Sequence, residues 1–152
     1  MSSDEVTPEV DWPRLRRAAV DVMRRAYAPY SEFSVGAAGL VDDGRVVVGC
    51  NVENAAYGVT LCAECGLVSS LHATGGGRLV AVSVVDATEG PCQPCGRCRQ
   101  LLCEAGGRDC MLDTGDGSRP VPMTEVLPGA FVLPEAGSGA SSGSGFPGTT
   151  AG

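Results

Sequence analysis

Cys62-Ala63-Glu64 and, some thirty residues later, Pro94-Cys95-Gly96-Arg97-Cys98 supply residue types that can run a metal-assisted hydrolysis. Three thiolates can hold one zinc ion and leave its fourth position open to water, which distinguishes a reactive zinc from a structural one. Glu64, two residues from the first sulfur and too close in sequence for a comfortable fourth ligand, is placed to take a proton from that water and pass it on. Read literally, Cys62-x-x-Cys65 followed by Cys95-x-x-Cys98 also spells a closed, non-catalytic four-cysteine zinc module. The gap between the pairs exceeds the usual ~15 to 20 residues, and a closed site leaves Glu64 without a role.

Helices must position these groups. Cys95 and Cys98 are three apart, on one face of a helix predicted to open at Pro94-Cys95, carry Leu101 and Leu102 inward and end at Gly106-Gly107. A second helix opens near Cys62 and runs to His72 or Ala73, where Gly75-Gly76-Gly77 stops it. The ligands thus lie at helix N-termini, whose partial positive charge lowers thiol pKa and offsets the charge of three thiolates. The glycine triplet follows a helix and precedes a strand, the wrong order for a phosphate loop.

Elsewhere Asp11 reads as an N-cap with Pro13 in the first turn, and Trp12, Leu15, Ala19, Val22 and Met23 recur at helical spacing up to Tyr27. Residues 34–41 and 46–51 are apolar runs joined by Asp42-Asp43-Gly44-Arg45, an antiparallel hairpin. Leu79 to Asp86 is a buried strand; residues 110–112 and 119–123 are further strands, the second confined to a sheet edge by Pro120 and Pro122. This alternation predicts a three-layer α/β domain over residues 1–134. Residues 135–152, dominated by Gly, Ser, Ala and Thr, read as a disordered tail.

At 152 residues the chain is one domain by length, and its net charge of −7 argues against a nucleic-acid partner, whose affinity rests on phosphate neutralisation. The arginines at 14, 16, 17, 24 and 25 read as a solvated helix face. Eight cysteines beside a polar N-terminus without an apolar core point to metal-ligating thiols in a reducing cytoplasm rather than a disulfide scaffold. The apolar run 79–85 is far short of the ~20 residues that cross a membrane. Cys50, Cys92, Cys103 and Cys110 read as small buried hydrophobes and His72 as structural.

Asn51-Val52-Glu53-Asn54, Cys62-Ala63-Glu64 and Pro94-Cys95-Gly96-Arg97-Cys98-Arg99-Gln100 together resemble the small tetrameric cytidine deaminases, over about residues 29–131. The resemblance implies a five-stranded mixed sheet between helical layers, and one Zn2+ per subunit on Cys62, Cys95 and Cys98. It implies that Glu64 serves as base and then acid, in the hydrolysis of cytidine and deoxycytidine to uridine and deoxyuridine in pyrimidine salvage. Asn51 and Glu53, two apart and so directed to one side of the chain, match the pair that binds the ribose 3′-hydroxyl. Phe33 matches the ring that packs on the pyrimidine, and Ala63 the residue whose backbone meets the base. Tyr57 and Phe131 match residues that reach a neighbouring subunit's site in a homotetramer.

The chain departs from the family at Cys65, where an arginine commonly balances the thiolates; Arg99 is expected to carry that charge balance instead. Blasticidin S deaminases share Cys-Ala-Glu and Pro-Cys-Gly-x-Cys-Arg-Gln, and are the enzymatic alternative. A deaminase acting on nucleic acid is disfavoured by the acidic balance and the lack of aromatic and basic strand-gripping segments.

Overall fold

The computed structural model describes residues 7–114 and 119–134; the tail predicted for residues 135–152 lies outside the described residues. Helix α1, Trp12–Met23, is capped by the Asp11 carboxylate, which accepts from Arg14 N at 2.9 Å. It stops short of Tyr27 because the chain there leaves the helix for strand-like pairing: Tyr27 N donates to Asn51 O and Tyr27 O accepts from Glu53 N. Strands β1 (Val35–Val41) and β2 (Val46–Cys50) form the predicted hairpin, with Gly44 at φ 89° in its turn.

Helix α2 spans Ala63–Ala73 and strand β3 Leu79–Asp86; helix α3 spans Gly96–Gly106. The chain then forms β4 (Met111–Leu112), β5 (Val121–Pro122) and the short helix α4 (Met123–Val126). The five-stranded sheet has the order β2-β1-β3-β4-β5, antiparallel except for the parallel β3–β4 pair. The proline-bearing β5 is an edge strand, as its missing amide donors require. Met123, expected to end that strand, begins α4 instead.

Alternation along the central strands serves two cores. Ala38, Leu40, Ala81 and Val85 pack with Leu15, Ala19 and Met23 of α1, whereas Ala37, Val41, Val82 and Val84 pack with Leu67, Leu71 and Leu102 of α2 and α3. The result is the expected three layers. The arginine-rich face of α1 is largely solvated, apart from Arg16, which grips Asp113 with two hydrogen bonds of 2.9 Å. Among the described residues no helix is long and apolar enough to cross a membrane.

Topology places the site. Strands β2 and β3 both run antiparallel to β1, so they point the same way, and the helices that follow them start beyond the same end of the sheet. Gly49 lets α2 lie directly on β2: a Cβ there would fall 2.2 Å from Leu67 N and 2.4 Å from Ala63 O. No side chain fits at that contact, so any substitution of Gly49 displaces the first turn of α2, which carries Ala63 and Glu64.

Candidate active site

Cys62 is the N-cap of α2 and Cys95 the N-cap of α3, each with extended backbone and neither using its side chain to cap the helix. Cys98 lies in the first turn of α3 and is fully buried. The sulfurs of Cys62, Cys95 and Cys98 lie within 4.8 Å of one another, with Cys62 Sγ 3.9 Å from Cys95 Sγ. Two thiolates on one tetrahedral zinc, each ~2.3 Å from it, stand about 3.8 Å apart, so the three sulfurs fit that ion. Cys65 is not part of the cluster, which leaves the four-cysteine reading without its fourth ligand.

Burial favours the neutral thiol at two of the three positions. Burial, with the charges of Glu64 and Cys62 adding to it, pushes the Cys98 thiol far above its ordinary value. Burial also raises Cys62, while at the helix start backbone N–H donation from Cys98 leads the effects that lower Cys95. A divalent ion reverses the penalty on Cys62 and Cys98 by making their deprotonated forms the favoured ones.

The arginine at these sulfurs is not the expected one. Arg99 turns away, donating through Nε to Pro94 O at 2.9 Å and through Nη1 to Val126 O at 3.0 Å. Arg97 instead places Nη2 3.6 Å from Cys62 Sγ and 3.7 Å from Cys65 Sγ, and its own pKa is raised, first by the hydrogen bond to Cys62. The cause is helical geometry: residue 97 follows Cys95 by two and faces α2, while residue 99 lies a further half turn around and braces the backbone leading into α3 and out of α4.

Beside the cluster opens a cleft of about 320 Å³ whose lining includes Phe33, Asn51, Glu53, Cys62, Ala63, Glu64 and Cys95. Glu64 is 4% exposed and Ala63 fully buried, whereas the Phe33 ring is half exposed. At the far end Glu53 Oε2 accepts from Tyr30 N (2.9 Å) and Ser31 N (3.2 Å), and Oε1 accepts a short hydrogen bond from the Ser31 hydroxyl. That hydroxyl is the largest influence holding the Glu53 carboxyl below the usual carboxylate range, the backbone donors assisting. Asn51 Oδ1 accepts from Val35 N and its Nδ2 donates to Phe33 O, both at 2.8 Å.

Not every predicted residue converges. Tyr57, in a 3-10 turn at Tyr57–Val59, is 77% exposed on the rim, its ring edge-on to Tyr30 at 6.2 Å. Phe131 is 69% exposed and lines a separate groove with Cys103, Glu104 and Arg108. His72 is exposed at the end of α2, away from the cleft. Cys103 and Cys110 are buried as expected, but half-buried Cys92 lines the cleft. Sequence reasoning also passed over Ser31 and Arg97. The second stood inside the cysteine motif; the first, a hydroxyl two residues before Phe33, is a turn-forming residue type.

A family model described as the cytidine and deoxycytidylate deaminase zinc-binding region matches residues 12–114. The chain is 56% identical over 126 residues to the cytidine deaminase of Mycobacterium tuberculosis, covering 83% of this chain and 93% of that one. It is 40% identical over 125 residues to the cytidine deaminase of Halalkalibacterium halodurans, covering 80% of this chain and 95% of that one. The crystal structure of the M. tuberculosis cytidine deaminase superposes with a TM-score of 0.79 at 55% identity, over 82% of this chain and all of that one.

Proposed function

The chain belongs to the cytidine and deoxycytidylate deaminase family, and from that premise we propose that it hydrolyses cytidine and deoxycytidine to uridine and deoxyuridine, releasing ammonia, in cytoplasmic pyrimidine salvage. The observation that carries the reading is one cleft lined by buried Glu64, by Glu53 and by Cys62 and Cys95 of the three-sulfur cluster. Cys62, Cys95 and Cys98 are the zinc ligands. Zinc held there acidifies a water, making a nucleophile available at neutral pH.

Glu64 accepts one proton as the water oxygen adds to C4 of the cytosine ring and returns it to N3, then takes the proton of the new C4 hydroxyl and passes it to the amine, which leaves as ammonia. Phe33 packs on the pyrimidine and the backbone at Ala63 meets its edge. Asn51 and Glu53 take the 3′-hydroxyl, present in both ribose and deoxyribose. Each end of the Asn51 amide has one backbone partner, which leaves one donor and one acceptor site for a ligand. Among the described residues the cleft lining holds two carboxylates, Glu53 and Glu64, and no lysine or arginine, which favours an uncharged nucleoside over a nucleotide.

Arg97 supplies the charge balance at the thiolates that Arg99 was expected to give. Exposed Tyr57, Val59, Leu61, Phe131, Val132 and Leu133 are the apolar surface of a homotetramer in which Tyr57 and Phe131 complete a neighbour's cleft.

Incubating zinc-replete protein with cytidine, beside Glu64→Gln, tests the function. The wild type is expected to form uridine, seen as a shift in ultraviolet absorbance. Glu64→Gln is expected to keep its zinc and lose ~10²- to 10⁴-fold in rate. Folded, zinc-loaded wild type that makes no uridine overturns the reading.

A further inference from the structure

The loop before β1 is tied to the far end of the cleft through one hydroxyl. Ser31 Oγ donates to Glu53 Oε1 and accepts from Phe33 N at 3.0 Å, so a single side chain joins a cleft carboxylate to the backbone that carries the cleft aromatic. The same loop closes on itself, with Glu32 N donating to Ala28 O at 3.0 Å. Glu32 has φ 57°, a left-handed conformation that costs a residue with a side chain, and it turns the chain so that the hydroxyl of its predecessor faces the amide of its successor. Asn51 completes the loop by accepting Val35 N and donating to Phe33 O.

The acceptor count at Glu53 is informative. Its two oxygens offer about four lone-pair directions. Two are used on Oε2, by Tyr30 N and Ser31 N, and one on Oε1, by the Ser31 hydroxyl. One acceptor direction remains, on Oε1, and Glu53, Ser31 and Phe33 all line the same cleft. Without the serine hydroxyl, Oε1 regains a second free direction, the carboxylate is no longer held at both oxygens, and the Phe33 amide loses its partner.

We propose that Ser31 is a positioning residue for sugar recognition: its hydroxyl holds the Glu53 carboxylate and the Phe33 backbone at one fixed spacing, leaving Glu53 a single acceptor for one substrate hydroxyl. The proposal rests on the reading that Glu53 meets the sugar 3′-hydroxyl. Ser31 does not touch the reacting atoms, and its contribution appears in how the enzyme tells sugars apart.

The test measures kcat and KM for cytidine and for 3′-deoxycytidine with the wild type, Ser31→Ala and Ser31→Thr, alongside zinc content. The wild type is expected to favour cytidine. Ser31→Ala is expected to keep its zinc, to raise KM for cytidine about tenfold with a smaller change in kcat, and to lose most of the preference for cytidine. Ser31→Thr, which keeps the hydroxyl, is expected to retain most of that preference. If Ser31→Ala does not fold, Ser31→Cys, similar in shape and a weak hydrogen-bonder, carries the same test. A zinc-loaded variant lacking the hydroxyl but discriminating like the wild type overturns the proposal. A wild type indifferent to the 3′-hydroxyl overturns the reading of Glu53 itself, and the proposal with it.

Discussion

At the metal end of the cleft, sulfurs come from the caps and first turns of α2 and α3, helices whose starts are fixed by packing on the sheet through residues such as Gly49 and Leu67. At the sugar end, Glu53 and Asn51 follow β2 in irregular chain, and their geometry is set by hydrogen bonds to the loop of residues 28–35. The metal end is anchored in the core by Cys98 and Ala63, although Cys62 is half-buried and Cys95 exposed; Asn51 and Glu53 are buried too, but individual polar contacts rather than apolar packing order them. Changes at the first should act all or none, and changes at the second should be graded.

The largest effect is expected at the metal end. Cys98 is fully buried, so Cys98→Ser keeps the shape but removes the soft ligand. Zinc measured by atomic emission is expected to fall well below one ion per chain, with turnover lost in proportion. A variant that keeps stoichiometric zinc would show that the cluster does not hold the metal as inferred. Glu53→Gln at the other end is expected to leave zinc in place and lower kcat/KM for cytidine by roughly 10- to 100-fold, mostly through KM, because a charged acceptor is replaced by a neutral one. An unchanged KM would remove Glu53 from sugar recognition.

The two ends also differed in how legible they were in the sequence. The cysteine motifs are short and local, so they predicted both helix starts to within a residue, although Cys95 caps α3 with extended backbone rather than sharing a helical face with Cys98. The hairpin and β3 were readable from apolar runs broken by turn residues. The choice between Arg97 and Arg99 was not, because both flank Cys98 and only the approach of α3 to α2 decides which faces the sulfurs. Nor was Ser31, whose partner Glu53 lies 22 residues away and is joined to it by topology rather than by any pattern. The early end of α1 was hidden for the same reason: Tyr27 pairs with residues near 52 that no periodicity around residue 27 reveals.

A smaller effect separates the two arginines. Arg97→Ala removes a guanidinium from Cys62 and Cys65, and is expected to weaken zinc retention against a chelator by about tenfold, as losing a partner of a metal ligand generally does. Arg99→Gln unties the carbonyls of Pro94 and Val126, and is expected to lower thermal stability by about 1–3 kcal/mol with less effect on zinc. The reverse pattern would restore Arg99 as the charge-balancing residue.

The smallest effect is a titration, and it probes the sugar end without turnover. Glu53 has its pKa lowered in the fold, first by the Ser31 hydroxyl and then, against a desolvation penalty, by the amides of Tyr30 and Ser31. A carboxyl depressed in the folded state contributes stability that is fully present above its unfolded pKa, near 4.5, and is lost as pH falls through the lower folded value. The destabilisation caused by Glu53→Gln is therefore expected to be greatest near neutrality and to shrink as the solution is acidified past that range. Carbon NMR of the Glu53 carboxyl gives the cause directly: its midpoint should lie below that of an ordinary glutamate, and should climb toward it in Ser31→Ala, where only the amide donors remain. An equal midpoint in both proteins would mean that the amides alone hold the carboxylate, and the sugar end would then be fixed by backbone rather than by the Ser31 side chain.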